Sequence, residues 1–233
     1  MSWLTITLAL YGRTLRRAAE LTMRNWAVLG SLFVYAVVMS AATALAAALG
    51  ILGGFLLSLV WAACVGSFLY LVEMIVRTGR VTLEDFRRSA GVYLWDVVGV
   101  TFVLWIVFRL LAPALGTFPQ GPMLLLGLYL IVLVFFNAVP ELIYLGRSSS
   151  LELLGESYAF IGENWIEWFP VTFALGALVL GLAALPVPPL VEWPKLALVA
   201  LLVYYTMVVR GLLFLELHGS TRRSRAFRHR MGG

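Results

Sequence analysis

The sequence predicts an all-α integral membrane protein with six transmembrane helices. We expect three parallel repeats, each an amphipathic cytoplasmic interfacial helix followed by a transmembrane hairpin. Three observations predict this fold. The 233 residues are 62% hydrophobic and 12% charged, with a mean hydropathy of +0.95, whereas roughly a quarter of the residues in a soluble domain are charged. Six apolar runs are long enough to cross a bilayer. A short segment that ends in Asn or Asp beside Trp occurs three times.

The three copies of this segment set the predicted repeat. Asn25, Asp96 and Asn164 lie 71 and 68 residues apart, and each has a Trp next to it. We interpret the Asn or Asp as a helix cap and the indole as a group at the level of the lipid headgroups. The predicted organisation is one membrane domain, 1–217, with repeats at about 1–76, 77–145 and 146–217, followed by a basic cytoplasmic tail, 218–233.

Each copy is predicted to begin with a surface helix that carries an apolar stripe at helical spacing. The second copy has Thr82 as N-cap with Asp85 three residues on, and the third has Ser149 with Glu152. We favour contact with the membrane interface for these stripes over a partner-binding groove. The stripes are Leu8, Tyr11, Leu15, Ala18 and Thr22; Leu83, Phe86, Ala90 and Tyr93; and Leu151, Leu154, Tyr158 and Ile161.

The apolar runs predict where the membrane spans lie, and prolines modify two of them. Pro113 is assigned to the turn after the third span, and Pro140 is expected to kink the fourth span near its end. The six predicted spans are Trp26 to Leu49, Phe55 to Val76, Asp96 to Leu115, Met123 to Leu145, Trp165 to Leu185, and Leu196 to Leu217.

The distribution of basic residues predicts the orientation. Fourteen of the seventeen lie in the N-terminal helix, the 77–95 and 146–164 connections and the tail, whereas the three opposite turns hold only Lys195. By the positive-inside rule, both termini and all surface helices are cytoplasmic. The formal charge of +5 indicates anionic membrane lipids rather than nucleic acid as partners. The predicted headgroup contacts are the tail residues Arg222, Arg223, Arg225, Arg228 and Arg230.

A possible polar or ligand site comes from ionisable residues within the spans. Glu73 and Glu141 occupy the same repeat position, and Glu216 lies near the corresponding end of the third hairpin. If the hairpins surround a pseudo-threefold axis, these carboxylates converge; if not, they are interfacial residues, and Glu73 can pair with Arg77 at i+4. The other candidates are Arg109, Asn137 and Arg210, and a pair between Arg210 and Glu216 or Glu141 is conceivable.

Enzymatic chemistry is not predicted. The histidines, His218 and His229, both fall in the basic tail, and the single cysteine, Cys64, lies in an apolar run. The sequence contains no phosphate-binding glycine loop and no metal-ligand spacing. We therefore expect no catalytic residues, no cofactor and no metal.

Glycine-containing basic turns, Arg77-Thr-Gly-Arg80 and Gly146-Arg147, precede short Leu-Glu helices with Ser89 or Ser157 and then Asp or Asn beside Trp. This pattern resembles bacterial polytopic membrane families of the YesL-like and YciC-like kind, and the membrane domain found beside glycerophosphodiester phosphodiesterases. The resemblance implies an accessory or transport-associated domain in the bacterial plasma (inner) membrane. We expect a non-enzymatic subunit that scaffolds or regulates a membrane-associated partner complex, with a protein partner or a homo-oligomer. The alternative is a permease component for a small molecule, ion or lipid.

Overall fold

Six helices in the described part of the chain are long and apolar enough to cross a membrane, which confirms the predicted number of candidate spans. The computed structural model describes residues 3–146 and 151–218. The tail arginines and Ser149 therefore lie outside the described residues. The candidate spans are Trp26–Leu49, Ile51–Thr78, Leu94–Gly116, Gly121–Leu145, Glu152–Ala184 and Pro189–His218.

Helices make up nearly all of the described chain, and short turns join them. A 3-10 turn, Trp26–Val28, follows α1 and leads into α2. The helices are α1 (Trp3–Arg24), α2 (Leu29–Leu49), α3 (Ile51–Thr78), α4 (Leu83–Ser89), α5 (Leu94–Gly116), α6 (Gly121–Phe135), α7 (Val139–Leu145), α8 (Leu151–Ala184) and α9 (Pro189–His218).

Two of the turns depend on glycines with positive φ. Gly50, at φ +57°, is the single residue between α2 and α3, and Gly79, at φ +77°, follows the last residue of α3. L-residues with a Cβ rarely adopt this left-handed conformation, whereas glycine adopts it without steric cost. Glycine thus allows the first hairpin to turn within one residue.

The predicted boundary between the third surface helix and the fifth span is wrong. Both belong to α8, a continuous helix of 34 residues, and Asn164 lies buried inside it. Asparagine lowers helix propensity by less than about 1 kcal/mol, which tertiary packing readily overrides. A residue of cap type is therefore not enough to end a helix here.

Of the two proline predictions, that for Pro113 is wrong, whereas the break in the fourth span just before Pro140 is the expected kink. Pro113 lies inside α5, which continues to Gly116, and the fourth span is interrupted at residues 136–138, upstream of Pro140. Pro140 occupies the first turn of α7, where its missing N–H removes no helical hydrogen bond. The chain turns before the proline, with the Val139 amide donating to the Phe136 carbonyl at 3.2 Å.

The described chain divides into two compact units. The first comprises residues 3–34, 71–82 and 164–218, and the second comprises residues 35–70, 83–146 and 151–163. In the first unit, α1 packs along α9, and the interior is filled by large side chains with less than 2% exposure. These include Trp168, Tyr204, Phe214, Leu71 and Ile75.

The second unit has its own buried residues. Here α5 packs against α6, and Phe108 stacks on Tyr129 with ring centroids 4.6 Å apart. Leu142, Tyr144 and Leu153 are almost fully buried. Many apolar side chains of both units stay exposed, as expected for helices whose solvent is lipid.

Candidate functional site

Hydrogen bonds within the first unit hold the N-terminal helix α1, which is outside the six candidate spans, at two of its residues and at Asn25, which follows it. The Tyr11 hydroxyl donates to the Glu167 carbonyl at 2.7 Å. From α9, the Tyr205 hydroxyl donates to the Leu15 carbonyl at 3.1 Å, and the Tyr204 hydroxyl donates to the Asn25 carbonyl at 3.3 Å. The helix is therefore fixed along its length.

The hydroxyl of Tyr11, which anchors α1, has a raised pKa. Burial, and after it the negative charge of Glu167, raises the pKa of Tyr11 from 10.0 to about 12. Both effects disfavour the phenolate. The hydroxyl consequently remains a hydrogen-bond donor over the whole physiological pH range.

Asn25 acts as a clip between α1 and the segment after α3. Its Nδ2 donates to the carbonyl oxygens of Leu21 and Gly79, at 2.9 and 3.1 Å, and its Oδ1 accepts from the Val81 amide at 3.0 Å. The predicted capping role is wrong, because the side chain makes no cap hydrogen bond to the turn that follows. An amide supplies a donor and an acceptor together, which suits two backbone groups close to each other in the chain.

Asp96 is likewise not an N-cap. Helix α5 begins at Leu94 with Tyr93 in the cap position and no side-chain cap hydrogen bond, so Asp96 falls in the first turn. There a negative charge interacts favourably with the helix dipole. The indoles beside the three Asx positions, Trp26, Trp95 and Trp165, are all more than half exposed, and their position at the level of the headgroups stays a prediction.

The predicted apolar stripes divide between exposed and buried residues. In α1, Ala18 and Thr22 are buried, but Leu8 is 65% exposed. Leu83 and Tyr158 of the other two stripes are also exposed, whereas Ile161 is buried. The buried face of α1 is formed instead by residues that include three threonines, namely Thr7, Leu10, Thr14, Ala18 and Thr22.

The predicted site residues are distributed over both units. In the first unit, Glu73 forms an ion pair with Arg77, Nε to Oε1 at 2.9 Å, which confirms the predicted i, i+4 pair. The guanidinium of Arg210 lies over the Trp168 ring, 5.2 Å from its centroid. This cation–π contact provides an electrostatic partner for a charge within a span. The sequence reasoning missed it because Trp168 lies 42 residues away.

The remaining predicted residues have different environments. In the second unit, Glu141 is fully buried in the first turn of α7, Asn137 lies in the turn between α6 and α7, and Arg109 is exposed on α5. Glu216, on α9 of the first unit, is exposed. Convergence of Glu73, Glu141 and Glu216 stays a prediction.

A groove in the first unit contains Glu216. Its volume is about 460 Å³, and it lies between α1 and α9. Leu10, Arg13, Thr14 and Arg17 line the α1 side. Leu212, Leu215 and Glu216 line the α9 side. Val76 of α3 also lines the groove. The sequence analysis did not identify this groove, although Arg13 and Arg17 at i, i+4 indicate a two-charge face.

A chain of buried hydroxyls forms a second polar feature, in the second unit. The oxygens of Tyr35 and Ser67 are 2.6 Å apart, those of Ser67 and Ser89 are 2.5 Å apart, and Ser89 donates to the Phe86 carbonyl at 2.7 Å. Because the Ser89 proton is used on Phe86, Ser67 donates to Ser89 and Tyr35 donates to Ser67. This directional chain connects α2, α3 and α4.

Ser157 has a comparable structural role in the same unit. It is fully buried, and its hydroxyl donates to the Phe135 carbonyl at 2.7 Å. Phe135 also contacts Tyr158, with ring centroids 4.9 Å apart. The hydroxyl thus stabilises the end of α6, where that helix has a carbonyl without an internal partner.

Within residues 3–146 and 151–218, no group of three or more His, Cys, Asp and Glu side chains is arranged to hold a metal ion. Comparison of the chain with models of protein families, with curated proteins and with solved structures finds no match.

Proposed function

We propose that this chain is a non-enzymatic integral membrane subunit that scaffolds or regulates a membrane-associated partner complex, with α1 as the docking element. One observation carries the proposal. A helix outside the candidate spans is anchored by two tyrosine hydrogen bonds, with a third on the residue that follows it, and has exposed charged side chains. The exposed charges are Arg13, Arg16, Arg17, Glu20 and Arg24. Fixing a charged surface in advance lowers the entropy cost of binding a partner.

The proposed placement is a bacterial plasma membrane, with both termini and α1 on the cytoplasmic side and anionic lipids around the basic segments. The arginine distribution supports this orientation. It also matches the resemblance to the YesL-like, YciC-like and phosphodiesterase-associated membrane families, whose implied role is accessory or transport-associated. A homo-oligomer is the alternative form of the partner.

The threefold repeat is part of the same proposal. Ala18, Ser89 and Ser157 each lie seven residues before Asn25, Asp96 and Asn164. All three have 0% exposure. A small, fully buried side chain at each equivalent position supports three related helix packings, since small residues allow close approach between helices. Under this proposal each repeat contributes a hairpin preceded by a helical segment, which in the third repeat is continuous with the first helix of the hairpin.

A permease component is the second candidate. The observation that favours it is the interruption between α6 and α7, where Asn137 lies in the turn and Glu141 is fully buried just after it. Interrupted helices with polar residues are frequent at the substrate sites of transporters. Glu141 is one of the buried ionisable groups that a transport pathway would use.

Site-specific photocrosslinking in cells tests the docking proposal. A photoreactive residue at Arg16 on α1 should give a discrete crosslinked protein or dimer band. A second probe, placed at the neighbouring Glu20, should give a band that Arg16→Glu combined with Arg24→Glu abolishes. A probe at the exposed Thr117 is the control and should give no such band. Absence of any α1 crosslink, together with solute-dependent thermal stabilisation and solute flux in proteoliposomes, would contradict the scaffold and support the permease.

A further inference from the structure

We infer that the groove between α1 and α9 binds an anionic phospholipid, with its phosphate on Arg13 and Arg17 and its acyl chain on the leucines of the groove. The inference rests on the membrane placement proposed above. It concerns lipid rather than protein recognition. The lipid would occupy a defined site, in contrast to the diffuse headgroup contacts expected of the tail.

The first argument is the arrangement of charge. Arg13 and Arg17 are one helical turn apart and both line the groove. The described ion pairs join Arg16 to Glu20, Arg77 to Glu73, Arg88 to Glu84, and Lys195 to Glu192, and so leave both groove arginines without a carboxylate partner among residues 3–146 and 151–218. Two guanidinium groups a turn apart suit one phosphate, because each can donate two parallel hydrogen bonds to its oxygens.

The second argument is the chemistry of the groove walls. Leu10 and Leu212 are buried below the arginines, and Leu215 is 42% exposed at the edge. A free anion gains no free energy from contact with these apolar walls. An acyl chain that covers them gains about 25 cal/mol for each Å² of apolar surface removed from water. The volume of about 460 Å³ accommodates a headgroup and the start of a chain.

The third argument concerns selectivity among headgroups. Glu216 is the one carboxylate at the groove within the described residues, so the two arginines leave a net charge of +1 there. A carboxylate accepts hydrogen bonds from hydroxyl groups. The groove therefore fits an anionic headgroup that carries hydroxyls, such as the glycerol of phosphatidylglycerol.

Native mass spectrometry of the full chain, purified in mild detergent, tests this assignment. The probes are phosphatidylglycerol, phosphatidylcholine and the soluble headgroup analogue glycerol 3-phosphate. We expect one phosphatidylglycerol to be retained in preference to phosphatidylcholine, and glycerol 3-phosphate not to compete with it. Arg13→Gln with Arg17→Gln should weaken retention about tenfold or more, since charge-assisted hydrogen bonds to phosphate are lost.

Arg16→Gln with Arg24→Gln is the matched control. It removes the same charge from the same helix but from residues that do not line the groove. It should leave the retained lipid nearly unchanged. Leu215→Trp is a second variant that fills the groove edge without altering charge, and it should displace the lipid even if the arginine pair proves necessary for folding.

Four results would contradict the groove as a phospholipid site, and each has a different meaning. Equal losses of retained lipid in the two double arginine variants would show that the lipid is held by diffuse electrostatics. If no form retained phosphatidylglycerol, including the unaltered chain, the result would also count against the proposed anionic membrane partners. Effective competition by glycerol 3-phosphate would assign the site to a soluble anion. Retention that survives Leu215→Trp and the Arg13 and Arg17 double substitution would place the lipid elsewhere.

Discussion

Asn25 and Val81, 56 residues apart in the chain, are joined by a hydrogen bond of 3.0 Å from the Val81 amide to the Asn25 Oδ1. The other end of the same side chain donates to Gly79. Asn25 thereby fixes the end of α1 to the backbone that leads into α4.

Asn25→Ala should destabilise the protein by about 2 to 3 kcal/mol, because it leaves the Gly79 carbonyl and the Val81 amide without their partner. Asp96→Ala is the control at the equivalent repeat position. It removes no cap hydrogen bond and should cost less than about 1 kcal/mol. Denaturant unfolding in detergent measures both variants. Equal effects of the two substitutions would contradict the clip and restore a shared capping role.

The spans could be predicted from sequence because span formation depends on local quantities, namely length and hydropathy. The first span, Trp26–Leu49, has the predicted bounds, and the other five overlap the predicted ones. These features need no knowledge of which helices are neighbours.

The polar contacts between residues far apart in the sequence could not be predicted, unlike the local ion pair of Glu73 and Arg77. Asn25 is of a residue type common at helix caps, but its side chain bonds to Gly79 and Val81. Asn164 is of the same type, yet it lies within a continuous helix. The groove that Arg13 and Arg17 line likewise forms only because α1 packs along α9, which the sequence does not show. Helical periodicity shows which residues share a face but not what that face contacts.

Ser67→Ala should cost about 1 to 3 kcal/mol, because it breaks the hydroxyl chain in the middle and leaves the Tyr35 hydroxyl without its acceptor. Ser58→Ala on the same helix removes an exposed hydroxyl that bonds only to the Gly54 carbonyl. This control should be nearly silent. Thermal unfolding of the two variants makes the comparison, and a Ser67→Ala effect no larger than the control would remove the hydroxyl chain from the account.

The anchoring of α1 should depend on pH only in the alkaline range. The pKa of Tyr11 is raised from 10.0 to about 12 in the folded protein. A raised pKa stabilises the folded state fully below the unfolded value, and this contribution is lost as the pH rises through the folded value. The stability that Tyr11 contributes should thus be constant up to about pH 10 and decline between about pH 10 and 12.

The measurement is the difference in the free energy of unfolding between the unaltered chain and Tyr11→Phe across this pH range. The hydrogen bond to Glu167 should make the difference about 0.5 to 1.5 kcal/mol at neutral pH. Tyr129→Phe, on an exposed position of α6, is the control and should leave the free energy of unfolding nearly unchanged at neutral pH. A difference that has already disappeared at neutral pH would mean that Tyr11 does not anchor α1.

The central claim, that α1 and the tail present their charges to the cytoplasm, is tested most directly by cysteine accessibility in intact cells. In a Cys64→Ala background, single cysteines at Thr117 and Pro188 should react with a membrane-impermeant maleimide from outside. Single cysteines at Arg16 and Ser224 should react only after the cells are opened, because the positive-inside rule places the basic segments within. Labelling of Arg16 or Ser224 in intact cells would contradict the account.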